Sequence, residues 1–112
     1  MQIPEQGDLV FTNFNPQVGR EQAGYRPGIV LSPKAFNRDT HFAAVCPITS
    51  KKKGYPFEVD LPEGLSIEGV ILTDQVRTID WRSRLLSIKD KAPEEVLESC
   101  INRVHAYIPF PE

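Results

Sequence analysis

The sequence predicts a mainly β domain with helices (α+β): a strongly curved antiparallel sheet, or small barrel, with one C-terminal helix packed on it. Three observations predict it. Five or six short segments rich in β-branched and aromatic residues follow one another, bounded by proline, glycine and asparagine. One segment near the C-terminus repeats apolar residues at helical spacing over several turns. The 112 residues supply a single modest core, so residues 1–112 are read as one domain.

Taken in order, GDLVFTNF (7–14) is a strand that ends at Asn15-Pro16, and 15–25 is a polar loop with two glycines. In EQAGYRPGIVLSP (21–33), Arg26 precedes a proline, which pushes it to extended geometry, so it begins the strand 26–32. SPKAFNRDT (32–40) holds a helical turn, with Ser32 as cap and Pro33 at the first position. HFAAVCPIT (41–49) is a third strand and runs into the basic loop SKKKGYP. FEVDL (57–61) alternates and closes at Pro62-Glu63-Gly64. EGVILTDQVRTID (68–80) is long enough to bend or change partners midway, and RLLSIK (84–89) is a further strand. In APEEVLESCINRVHAYI, Pro93 suits the first turn, and Glu94 and Glu95 complement the helix dipole. Val96, Leu97, Cys100, Ile101, Val104 and Ile108 form its apolar face.

Composition narrows the function. A net charge of −2 argues against coating nucleic acid through bulk positive charge, but Lys51-Lys52-Lys53 and Arg77, Arg82 and Arg84 allow a local basic groove for a short segment. No apolar run approaches the roughly 20 residues of a membrane span. The start MQIPEQGDLV lacks a signal-peptide pattern, so a cytoplasmic location is expected. Cys46 and Cys100 sit in apolar contexts without metal-ligand spacing and are expected as buried free thiols. No cofactor or metal is expected.

The segments GDLVFTNFNPQVGREQAGYRPGIVLSP, CPITSKKKGYPFEV and GVILTDQVRTIDWRSR resemble the MazF/PemK-like toxins, and the resemblance spans residues 7–108. It implies an SH3-like barrel decorated by helices, a homodimer, and cleavage of single-stranded RNA at a short recognition sequence. It also implies a cognate MazE-like antitoxin whose acidic, extended C-terminal segment blocks the RNA groove. The same fold serves toxins that poison DNA gyrase by binding alone, and this is the alternative.

The chemistry can be weighed beside that resemblance. Metal-free RNA cleavage uses the adjacent 2′-hydroxyl as nucleophile, and many ribonucleases supply two histidines for the proton transfers. Here His105 lies near a helix C-terminus, and His41 stands about 26 Å from Thr49 along an extended segment at roughly 3.3 Å per residue. A two-histidine mechanism is therefore not expected. The resemblance places the catalytic arginine at Arg26, whose guanidinium suits the phosphorane; a solvated arginine snorkelling at a strand edge is the bland alternative. Thr49 matches the catalytic threonine, with orientation of the phosphate as its role. Glu21 is the nominated general base, against an ion pair with Arg26. The pair Asp74-Gln75, expected in mid-strand, would orient Arg26 or a nucleotide and read a base. Lys51, Lys52, Lys53, Tyr55 and Arg77 are assigned to RNA binding, and Phe57 is read as core. Trp81 is assigned to RNA as a stacking platform, with a dimer interface as the alternative. Two departures stand out: Leu72 occupies the position of the PemK-branch arginine, and Asn15 stands where many members carry a carboxylate.

Overall fold

Alternation along the first strand sends neighbouring side chains to opposite faces. Leu9 is buried with Ile29 and Cys46, whereas Val10 is buried with Val30 and Val45. The computed structural model describes residues 2–15, 19, 21 and 24–112. Its strands are β1 (Asp8–Asn13), β2 (Tyr25–Val30), β3 (Phe42–Thr49), β4 (Glu58–Asp60), β5 (Val70–Leu72), β6 (Arg77–Asp80) and β7 (Ser87–Lys91). Two helices are added, α1 (Lys34–Thr40) and α2 (Glu94–Tyr107). The strands pair antiparallel in the order β4-β5-β3-β2-β1-β7 with β6 also on β3, which makes an open curled sheet of the expected class.

Strand β3 organises the site. One of its edges takes β2, and the other takes β6 and then β5. Val45 pairs with Arg77 and Ile48 with Ile71, so three steps along β3 face six steps along the partner segment. The surplus leaves the sheet as a 3₁₀ turn, Thr73–Gln75. Of the two expectations for 68–80, a bend or a change of partners, the bend is present and β3 stays the shared partner; Asp74 and Gln75 stand in this turn rather than in mid-strand.

The helices cover the curl. On α2, Val96 and Cys100 are buried, and Leu97, Ile101 and Val104 pack partly buried against the same cluster. Ile108 falls beyond the helix end and is 58% exposed, so the apolar face stops one turn earlier than the spacing suggests. Both cysteines are free and buried, and burial raises both thiols, that of Cys100 to about 12. Helix α1 starts after Pro33, and Ser32 does not cap it. The Ser32 hydroxyl instead donates to Asn37 Oδ1 at 2.5 Å and accepts the Ala44 N–H at 2.9 Å. Asn37 is wholly buried and donates to the carbonyls of Pro4 and Ser32. His41 does not open β3: in a left-handed conformation, φ 64°, it ends α1 and donates its N–H to the Asn37 carbonyl.

Where β5 crosses the end of β3, Gly69 has φ +127°, and an added Cβ would lie 2.3 Å from the Thr49 carbonyl oxygen. No L side chain fits there without moving one of the two strands. Gly69→Ala is therefore expected to destabilise the protein by about 2–4 kcal/mol in urea denaturation. An unchanged midpoint would show that the two strands can part at no cost.

Candidate functional site

A cavity of about 720 Å³ opens beside the 3₁₀ turn, lined by Arg26, Thr49, Ser50, Lys51, Lys53, Tyr55, Glu58, Leu72, Asp74 and Gln75. Three separate parts of the chain meet in it. The start of β2 brings Arg26, the end of β3 and the loop after it bring Thr49 to Tyr55, and the turn brings Asp74 and Gln75. The β2–β3 ladder reaches Gly28↔Pro47, and beyond it Arg26 and Thr49 both line the cavity.

The approach to Arg26 is tied down by the backbone. The Phe14 N–H donates to the Gly24 carbonyl at 2.8 Å, and Asn15 Oδ1 accepts the Gly24 N–H at 2.9 Å. That role needs an oxygen acceptor and no charge, which is why an amide can stand at position 15. Arg84 donates to the carbonyls of Asn13 and Asn15 and Arg77 to that of Phe14. The basic loop is held from below by Glu58, whose two carboxylate oxygens accept the N–H groups of Gly54 at 2.8 Å and Lys53 at 3.0 Å. Thr49 is 8% exposed and its Oγ1 accepts the Lys51 N–H at 3.2 Å. Across the mouth, the Tyr55 hydroxyl donates to Asp74 Oδ1 at 3.1 Å and so joins loop to turn.

Of the residues assigned from sequence, Arg26, Thr49, Lys51, Lys53, Tyr55, Asp74 and Gln75 come together. Four stand elsewhere. Lys52 is turned to Asp60, at 3.0 Å between two side chains more than half exposed, which adds little stability. Arg77 is half-buried and bound to the Phe14 carbonyl, so it braces the loop before Arg26 rather than facing the cavity. Trp81 is 1% exposed in the core, and its indole N–H donates to the Asn37 carbonyl at 2.9 Å. It offers no free ring face to a base, and the assignment as a stacking platform is corrected accordingly. Glu21 is exposed in the loop between β1 and β2 and is not among the lining residues. Phe57 is half-buried and meets Tyr107 edge-on. Sequence reasoning missed Glu58, because strict alternation along 57–61 sends it outward; the basic loop folds back over it and buries it to 9% exposure.

Comparison with known proteins decides the family. Residues 5–108 match the family model of the "PemK-like, MazF-like toxin of type II toxin-antitoxin system". The chain belongs to the PemK/MazF-like toxin family. Among relatives, the endoribonuclease toxin MazF of Escherichia coli K12 is 47% identical over 95 residues, covering 84% of this chain and 85% of that one. The endoribonuclease PemK of Escherichia coli is 32% identical over 105 residues, covering 89% and 78%. The crystal structure of MazF from Deinococcus radiodurans superposes with a TM-score of 0.94 at 44% identity, over 98% of this chain and 100% of that one. A MazE–MazF complex from the same organism gives 0.88 at 44% identity, over 99% and 100%. Within this PemK/MazF-like chain, Leu72 ends β5 at 4% exposure and puts an apolar surface, with no cation, on that part of the cavity wall.

Burial first, and then the bond to Asp74, pushes the Tyr55 phenol up to about 12, whereas an unfolded tyrosine ionises near about 10. The folded state thus keeps a proton that the unfolded chain releases. The stabilisation is complete below about pH 10 and disappears as pH rises to about 12. Unfolding free energy should fall more steeply over that window in the natural protein than in Tyr55→Phe. Parallel curves would mean that the bridge across the mouth is not formed in solution.

Proposed function

We propose that this chain is an endoribonuclease toxin that cuts single-stranded messenger RNA at a short recognition sequence, independently of the ribosome, in the cytoplasm. The observation that carries the reading is the convergence of Arg26, Thr49, Lys51 and Lys53 on one cavity. A permanent planar cation, a hydroxyl and two ammonium groups are what a phosphodiester requires of a site that must bind it and stabilise its extra charge. The names of the relatives, endoribonuclease toxins, support the same reading.

In the reaction the 2′-oxygen attacks the adjacent phosphorus, and its proton passes to a base. The bond from phosphorus to the 5′-oxygen breaks, and that oxygen takes up a proton. The products are a 2′,3′-cyclic phosphate and a 5′-hydroxyl. Arg26 holds two non-bridging oxygens as negative charge develops on them. Thr49 accepts the Lys51 N–H, which leaves its own proton for a phosphate oxygen. Lys51 and Lys53 hold flanking phosphates, Tyr55 stacks on a base, and Gln75 reads a base edge. The two carboxylates lining the cavity already have partners, Glu58 the loop N–H groups and Asp74 the Tyr55 hydroxyl. The nominated base is Glu21, in the loop that leads to Arg26 and outside the lining of the cavity.

Pure protein incubated with a long RNA in excess chelator should produce fragments ending in 2′,3′-cyclic phosphate. Arg26→Ala should cut the rate by a factor of 10² or more, about 2.7 kcal/mol at the transition state, with folding unchanged. Arg26→Lys should rescue little, because a point charge cannot make the paired contact. Glu21→Gln should slow cleavage with folding unchanged. Intact RNA would return the chain to the alternative of a toxin that acts by binding DNA gyrase. Dependence on magnesium would replace the mechanism.

The proposal extends to a homodimer with a groove in each subunit and to an antitoxin tail, acidic and extended, lying over the same cations as the RNA. A neighbouring structure, titled as a MazE–MazF complex, supports such a partner. RNA and tail should then exclude one another, and both should weaken as salt rises. Replacing Lys51 and Lys53 with alanine should weaken both together. Sedimentation showing a dimer with tail and uncleavable RNA on every site at once, or a monomer throughout, contradicts this part of the reading.

A further inference from the structure

The C-terminal half of α2 holds both walls of the cavity from behind without lining it. Arg103 Nε donates to the Pro56 carbonyl, at 3.0 Å, under the basic loop. The Tyr107 hydroxyl donates to the Thr73 carbonyl at 2.5 Å, at the first residue of the 3₁₀ turn. Thr73 is wholly buried, and both its N–H and its hydroxyl donate to the Phe57 carbonyl, at 3.2 and 2.6 Å. Its carbonyl, which opens the 3₁₀ turn, accepts the Tyr107 hydroxyl. That carbonyl shares a rigid plane with the N–H of Asp74, so fixing the oxygen fixes the direction in which the chain enters Asp74 and Gln75. The Tyr107 ring is 38% exposed, but its edge-on contact with Phe57, centroids 5.7 Å apart, directs the hydroxyl inward. Burial raises the phenol above its ordinary value.

We infer that Tyr107 is a positioning residue for substrate recognition: its hydroxyl orients the Thr73–Asp74 peptide and so holds Asp74 and Gln75 in the place where they meet the substrate. The inference rests on the reading of the cavity as the RNA site. It separates two tasks by element. Arg26 and Thr49 are carried by the paired strands β2 and β3, whereas the first peptide of the turn that carries Asp74 and Gln75 is held from outside the sheet by α2. Loss of the Tyr107 donor should therefore disturb binding and choice of cutting site, and leave the bond-breaking step alone.

Tyr107→Phe removes only the donor and keeps the ring against Phe57. On a single-stranded RNA substrate the KM should rise about fivefold or more at nearly constant kcat, the loss of one hydrogen bond. The pattern of cut sites should broaden. Amide hydrogen exchange by NMR should quicken at residues 74–76 while Ile48 and Ile71, in the β3–β5 pair, keep their natural rates. An unchanged KM, a fall confined to kcat, or faster exchange spread evenly over the sheet would overturn the inference. If the natural protein cuts no RNA, the functional reading fails by itself, and the exchange experiment still decides the role of Tyr107. Faster exchange limited to the turn then supports positioning, and unchanged exchange refutes it.

Discussion

The edge of β3 has fewer pairing positions than the segment that lies along it has residues, and the site depends on that mismatch. Pairing at both ends of the segment is anchored by buried side chains, Ile48 with Ile71 at one end and Ala43 with Ile79 at the other. Neither end can slip, because a shift of one residue would turn buried side chains to solvent. The three surplus residues must leave the sheet, and they do so between the rungs at Val45 and Ile48, just before β3 ends in Thr49. A polar turn is thus delivered to the mouth of a cavity by apolar packing several ångströms away.

The remaining wall is built by a different device. The loop after β3 carries lysines that repel each other, and no apolar side chain anchors its tip. It is ordered by Glu58, buried beneath it and accepting two successive N–H groups. Hydrogen bonds of this charge-assisted kind contribute about 1.5–3 kcal/mol each, more than neutral ones. The carboxylate lines the same cavity as Lys51 and Lys53.

A buried polar knot plays the corresponding part on the opposite face. Asn37 joins the carbonyls of Pro4 and Ser32, takes the Ser32 hydroxyl, and gives its own carbonyl to Trp81. Asn37 and its peptide bind α1 to the N-terminal segment, to Ser32 and to the residue after β6, and the Ser32 hydroxyl adds β3 through the Ala44 N–H. Trp81 belongs to this knot. A tryptophan between two charged residues reads as exposed in sequence, yet the Asp80 carboxylate caps the following turn through Arg82 and Ser83 N–H, and the ring turns inward.

The sequence alone determined the strand and helix succession, the pairing of an α2 face with the sheet, the buried thiols, and the family to which the chain belongs. These follow from local periodicity, from turn residues and from motifs that survive as contiguous words such as EQAGYRP and KGYPFEV. It also named seven of the residues that line the cavity. Tertiary structure decided which assigned residues face one another and which do not: Arg77 and Trp81 are drawn to backbone carbonyls far along the chain, and Lys52 turns to Asp60. It alone revealed Glu58 under the basic loop and Tyr107 behind the turn. The physical reason is that a side chain's direction depends on curl, register and surplus residues at strand edges, and those are settled by burial between segments distant in sequence. A one-dimensional pattern records which residues are apolar and how often they recur. It carries no record of what will fold over them.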